Sequence, residues 1–149
     1  MDRRRFGGLF LGLAMAIAVA TSASATSPDP VTITVVTHID GIEDPFVSTG
    51  GLVCAAGTVS NLGSRFAGGQ SGSHAQILIT KRFACTDGTF DILLRVSLDF
   101  ETCDTTATWS VAGGTGDYAT LRGAGSLTGD SACGDAILDV YTGRMHLDP

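Results

Sequence analysis

The stretch FDILLRVSLDF, Phe90 to Phe100, decides the fold class. Phe90, Ile92, Leu94, Val96, Leu98 and Phe100 take every second position, and Asp91, Leu93, Arg95, Ser97 and Asp99 fill the gaps. A two-residue period marks a β-strand with one apolar and one mostly polar face. Just upstream, Ile77, Ile79, Phe83 and Cys85 fall on the odd positions of a second run. Asp87-Gly88 lies between the two and suits a two-residue type I′ turn, where both central residues need positive φ. Such a loop pairs odd with even positions, setting Phe83 opposite Ile92 and Ile79 opposite Val96, with both apolar sets on one face. A three-residue loop would set Phe83 against Asp91, which a buried face excludes.

Alternation of this kind recurs along the chain, and no run shows helical periodicity. Ser27–Pro30 reads as a loose tail and Val31–His38 as a first strand. Gly41–Gly51, with Glu43, Asp44 and Pro45, reads as a loop, and Leu52–Ser60 as a second strand. Asn61–Ser73 is rich in Gly and Ser and reads as a mobile loop. Beyond the hairpin, strands are expected over about Thr105–Ala112, Tyr118–Thr128 and Ala136–Leu147. Seven short antiparallel strands without an internal repeat or domain boundary stack as a sandwich or close as a barrel. A closed barrel leaves no open edge and is the expected all-β form.

The first 25 residues read as an export signal. Arg3, Arg4 and Arg5 precede an apolar run from Phe6 to Ala20, and Ala23-Ser24-Ala25 supplies a small-x-small cleavage pattern. The run is short for a membrane span. Arg3-Arg4-Arg5-Phe6 also loosely fits a twin-arginine pattern, although Gly7 stands where leucine is preferred, so the export route stays open. Cleavage leaves one domain, residues 26–149. It lowers Lys+Arg from 9 to 6 and Asp+Glu from 15 to 14, for a net charge of −8. That acidity excludes nucleic acid and anionic membranes as partners, and the expected compartment is extracytoplasmic: secreted or periplasmic.

Four cysteines, Cys54, Cys85, Cys103 and Cys133, suggest two disulfides in an exported chain. Three pairings exist, and nearness in the chain favours Cys54 with Cys85 and Cys103 with Cys133. No two cysteines are closely spaced, and His38, His74 and His146 are scattered, so neither a metal site nor a cofactor is expected.

Residues 109–125, WSVAGGTGDYATLRGAG, are the densest glycine segment. Gly113, Gly114 and Gly116 can supply a tight reversal. Gly123 and Gly125 share a strand face with Leu121 and Leu127, where a ring such as Trp109 can cover the bare backbone. The spacing is not that of a dinucleotide loop, and no P-loop lysine follows. Through Trp109, Val111, Gly113-Gly114-Thr115-Gly116, Tyr118, Leu121 and Gly123 the chain resembles the dirigent and allene oxide cyclase-like barrel superfamily, most closely its small secreted bacterial members. The resemblance implies an eight-stranded antiparallel barrel with a lumen, often assembled as a trimer, so a homo-oligomer is a possible state. Plant members of that superfamily direct radical coupling or close a ring on an unstable oxide, and related bacterial barrels cyclise polyketide chains. No catalytic residue carries over, and the four cysteines depart from the plant members.

Lys81 breaks the pattern. In the register above it lies between Ile79 and Phe83, opposite Leu94, on the apolar face. Burial strips a lysine of hydration and makes it a nucleophile or base. The more ordinary outcome is a bulge or rim where the ammonium reaches water. Asp91, Arg95, Asp99 and Glu101 lie along the other face. Asp99 and Glu101, two apart on one strand, are loosely spaced like the carboxyl pair of an inverting glycosidase, but a solvated exterior explains them as well. Gly-x-Ser-x-Gly is absent and no histidine has a partner at a telling spacing. Tyr118 and Tyr141 read as structural, ring buried and hydroxyl at the edge.

Three functions remain in view. The first is a barrel binding an apolar small molecule in a lumen lined by Ile77, Ile79, Phe83, Ile92, Leu94, Val96 and Leu98. The second is a cofactor-free cyclase or isomerase using the same lumen. The third is a structural or interaction protein with a filled core.

Overall fold

The computed structural model describes residues 27–38, 43–67 and 72–149; the expected export signal lies outside them. Eight strands follow one another: β1 (Asp29–His38), β2 (Glu43–Thr49), β3 (Ala56–Phe66), β4 (His74–Cys85), β5 (Gly88–Asp99), β6 (Thr105–Gly116), β7 (Leu121–Asp130) and β8 (Ala136–Leu147). Each pairs antiparallel with the next, and β1 pairs with β8 over ten residues to close a barrel. Closure satisfies the two edges that an open eight-stranded sheet would leave bare.

Strand pairing corrects the expected loops and the hairpin register. The segment read as a loop over Gly41–Gly51 contains β2, which pairs with β1 and β3. Its Asp44 and Phe46 are buried while Glu43, Pro45 and Val47 are exposed, an alternation masked by a central proline and two acids. The segment read as a loop from Asn61 instead continues β3 to Phe66, with a bulge between Asn61 and Gly63 that leaves Leu62 out of register. A bulge hides the two-residue period from a reader of the sequence. The tight loop between β4 and β5 is Thr86-Asp87, so Phe83 faces Phe90 and Lys81 faces Ile92. The slip is by two residues, which keeps both apolar sets on the same face. The phenyl rings of Phe83 and Phe90 stack at 4.9 Å and 4°. Gly88 joins the strand, where it lies against Gly116 of β6.

Gly113 and Gly114 also run within β6. The reversal falls on Asp117–Thr120, so Tyr118 caps the turn and β7 begins at Leu121. Gly116 does supply positive φ, at 60°. Phe100, read as the last apolar strand position, sits in the turn after β5 and is exposed.

Inward side chains fill one end of the barrel. Phe46, Phe83, Phe90, Tyr118 and Tyr141 form a chain of ring contacts, each centroid pair 4.9–6.4 Å apart. Trp109 needs bare backbone opposite it. It pairs with Gly125, which pairs with Gly143. A Cβ on Gly125 would stand 2.7 Å from the indole Cε2 and closer still to the Thr142 carbonyl. The indole N–H donates to the Ser126 carbonyl at 2.9 Å.

The disulfides join Cys54 to Cys85 and Cys103 to Cys133. The first ties the β2–β3 loop to the end of β4, and the second joins the β5–β6 and β7–β8 loops at the opposite end. Both are consistent with an oxidising compartment.

Gly125→Ala should lower unfolding stability by about 1–3 kcal/mol in a denaturant titration, as overpacking does. Gly63→Ala meets open space and should change stability by less than about 1 kcal/mol, in either direction. Equal effects of the two substitutions would contradict the packing of Trp109 on Gly125.

Candidate functional site

The polar residues inside the barrel gather towards the end that carries the Cys103–Cys133 bridge. Lys81 is inward and buried, at 7 % exposure, instead of reaching water at a bulge or rim. Its ammonium donates to Asp139 Oδ2 at 3.1 Å and to Thr37 Oγ1 at 3.0 Å. The Thr37 hydroxyl in turn donates to the same Asp139 oxygen at 2.8 Å. Strand pairing explains the meeting. Asp139 on β8 faces Val35 on β1, one side-chain step from Thr37, and Lys81 reaches across the interior from β4.

The other Asp139 oxygen lies over bare backbone. A Cβ on Gly129 would stand 2.6 Å from Asp139 Oδ1 and closer to Thr105 Oγ1. Gly129 is paired with both residues, Thr105 on β6 and Asp139 on β8. The absence of a side chain at position 129 therefore makes room for the carboxylate. A second inward acid, Asp44, is buried and held by the backbone N–H and Nδ1 of His38 at 3.2 and 2.7 Å.

Next to this polar floor lies a mostly apolar cavity of about 280 Å³, lined by Leu98, Asp99, Phe100, Cys103, Ser131, Cys133, Gly134 and Ile137. Leu98 is paired with Thr105, and Ile137 with Thr37, so the cavity walls are register neighbours of the polar cluster. Its volume is near the lower end of the range that small-molecule sites occupy. A larger recess of about 580 Å³ lies around the β3 bulge, between Leu62, Leu78, Leu93, Arg65 and Arg95. It is an open groove involving the outer face of β4 and β5, away from Lys81 and Asp139.

The seven residues expected to line a lumen all face inward, but they divide. Phe83, Ile92 and Leu94 are fully buried in the packed half. Ile77, Ile79 and Leu98 stay partly exposed, and Val96 lies beside them. Register also turns Ser64 and Phe66 inward, opposite Ile79 and Ile77, and Phe66 is 64 % exposed. An inward residue that meets solvent marks this half of the barrel as open.

Asp99 and Glu101 do not form a carboxylate pair. Glu101 lies in the turn, and Asp99 Oδ1 accepts its backbone N–H at 2.8 Å. That bond holds the Asp99 carboxyl below its usual range, with the Thr102 N–H and nearby His74 adding to the effect. Asp91 pairs with Arg82 at 2.8 Å on the outside, and Arg95 is exposed there. Among the described residues, no group of three or more His, Cys, Asp or Glu side chains could hold a metal ion.

Both tyrosines are buried, with different fates. Tyr118 donates to Asp87 at 2.9 Å and accepts the Cys54 N–H at 3.2 Å. Burial, then Asp87, pushes its phenol up to about 12. The Tyr141 hydroxyl is not at an edge: it is buried without a hydrogen-bond partner among the described residues. Burial, followed by the charge of Asp139, raises its phenol well above the usual value.

Sequence reading missed Asp139 and Thr37 because their partners lie 44 to 102 residues away. One signal was available: Lys81 is the only lysine in the chain. Lysine is ordinarily among the least buried residue types, and here the single copy is inside. Comparison of the chain with protein-family models, curated proteins and solved structures finds no match.

Removing one member of a buried ion pair strands the other. Lys81→Met should therefore cost about 3–5 kcal/mol, while Lys81→Met with Asp139→Leu should recover most of it. Additive losses measured in denaturant would contradict the pairing. The tyrosines set a second expectation. Below the ordinary phenol value of 10.0, folded and unfolded chains both hold their phenol protons, and stability is full. As pH rises from there towards about 12, the unfolded chain releases protons that the folded chain keeps, so stability falls. Tyrosinate absorbance should accordingly appear near pH 10 in the unfolded chain and later in the folded one. Titration of both phenols near pH 10 in the folded protein would refute their burial.

Proposed function

We propose that this chain is an exported barrel of the dirigent and allene oxide cyclase-like kind that binds an uncharged, mainly apolar small molecule in its open half. The observation that carries this reading is the Lys81–Asp139 pair beside an apolar cavity of about 280 Å³. The pair presents polar atoms whose charges offset each other, Leu98, Phe100 and Ile137 supply apolar cavity wall, and Ile77 and Ile79 face inward on the same half. Such a combination, a largely apolar recess with few polar groups, is the usual make-up of a ligand site.

Export is supported by the basic start, apolar run and Ala23-Ser24-Ala25 of the sequence, together with two disulfides. The barrel kind is supported by strand number and by the glycine-rich segment around Trp109 and Tyr118. A homo-oligomer, which that kinship implies, would bury the exposed Val36, Val47 and Leu138 on the adjacent strands β8, β1 and β2. The second reading, a cofactor-free cyclase or isomerase, draws on the same Lys81–Asp139 pair as its acid–base equipment. A purely structural barrel is the reading that the aromatic half favours.

The neutral dye Nile red, titrated into the protein, should gain fluorescence and shift to the blue. Ile79→Arg at the open half should abolish the response, and Leu78→Arg on the outer groove should leave it intact. A response lost equally in both variants, or absent from the parent protein, would remove the ligand reading and leave the structural one.

A further inference from the structure

The chemistry of the open half rests on one amine. Every other cation of the chain, the N-terminus aside, is an arginine or a histidine. A buried ion pair is seldom worth more than packed apolar residues of the same shape, so stability does not account for Lys81. Apolar neighbours strip the amine of hydration, Phe83 and Ile79 on the same strand face and Ile92 opposite, and the Asp139 carboxylate lies within hydrogen-bond distance to take its proton.

We propose that Lys81 forms a reversible imine with an aldehyde or ketone borne on the apolar molecule that enters this half of the barrel. The inference rests on the ligand reading given above and narrows it to carbonyl compounds. Asp139 and Asp44 at the same end disfavour an anionic ligand, and the ammonium disfavours a cationic one. A neutral carbonyl meets neither penalty.

The step balances without an oxidant or cofactor. Entry of an apolar body expels water, and the ion pair loses the solvation that kept its charges apart. The Nζ proton passes along the 3.1 Å hydrogen bond to Asp139 Oδ2, leaving a neutral amine beside a neutral acid. The amine lone pair attacks the carbonyl carbon, the C–N bond forms, and the C=O π pair moves to oxygen, which takes the proton from Asp139. The new nitrogen returns a proton to Asp139. The C–O bond then breaks as that proton is delivered to the departing hydroxyl, which leaves as water. Ammonium and carbonyl become a protonated imine and water, the third Nζ proton staying on nitrogen, and Asp139 ends ionised as it began. Thr37 is a positioning residue: its hydroxyl bonds both Nζ and Oδ2 and keeps the two in reach of each other.

A single lysine makes the test clean. The folded protein is incubated with naphthaldehyde and sodium cyanoborohydride, and its peptides are read by mass spectrometry. The expected result is one naphthylmethyl group on Lys81, appearing faster than any adduct on the α-amine. Asp139→Asn, with a circular dichroism spectrum like the parent's, should slow the adduct by about 100-fold or more, as loss of a proton-transfer group does. Lys81→Arg keeps a cation beside Asp139 and should carry no adduct at position 81. No adduct on Lys81, or an adduct only after unfolding, overturns the imine. Ethylnaphthalene bound without an adduct from the aldehyde would overturn it and leave the ligand reading standing. No binding of either compound to the folded parent protein would overturn both.

Discussion

Closure of β1 on β8 is the constraint from which the rest of the structure follows. Ten residue pairs join the two strands, from Asp29 with Met145 to His38 with Ala136. Once the sheet is closed, every second residue of eight strands faces a narrow interior, and the interior must be filled or lined. The aromatic chain from Phe46 through Phe83 and Phe90 to Tyr118 fills one end. Glycines at 125 and 143 admit the Trp109 indole where a side chain would block it. Closure also brings β8 alongside β1, and so places Asp139 one step from Thr37.

The same constraint makes the other end expensive unless its charges are paired. A lone ammonium or carboxylate in such an interior would be strongly disfavoured. Lys81 and Asp139 come from strands far apart in the barrel and meet only because the interior is a few side chains across. Thr37 completes the arrangement, and Gly129 leaves room for it. The outcome is a polar floor in which the ammonium and the Asp139 carboxylate offset each other, beside a cavity whose walls include Leu98, Phe100 and Ile137. Two halves with different contents therefore share one barrel: a packed, aromatic half and an open half that holds the chemistry.

Much of this was legible in the sequence, through patterns of short range. The alternation of Phe90–Leu98 gave strand β5 and its inward face, and the break at Lys81 drew attention to the correct residue. What escaped notice involved either a disturbed period or a distant partner. Pro45 and the flanking acids concealed β2, and the bulge at Leu62 concealed the second half of β3. Asp87-Gly88 looked like a turn, but the stacking of Phe83 on Phe90 goes with a register two residues away, which local turn chemistry could not decide. Asp139 carried no local mark. It sits between Leu138 and Val140 as an ordinary acid on a strand, and its importance comes wholly from the barrel that carries it to Lys81.

The only lysine of the chain lies inside the barrel, bonded to Asp139. Its side-chain nitrogen gives one ammonium resonance, which can be followed by heteronuclear NMR on protein labelled at lysine. A buried pair gives slow exchange of the ammonium protons with water and a through-space contact to the Asp139 side chain, both lost in Asp139→Leu. Rapid exchange with the free rotation of a solvated lysine, unchanged by that substitution, would contradict it.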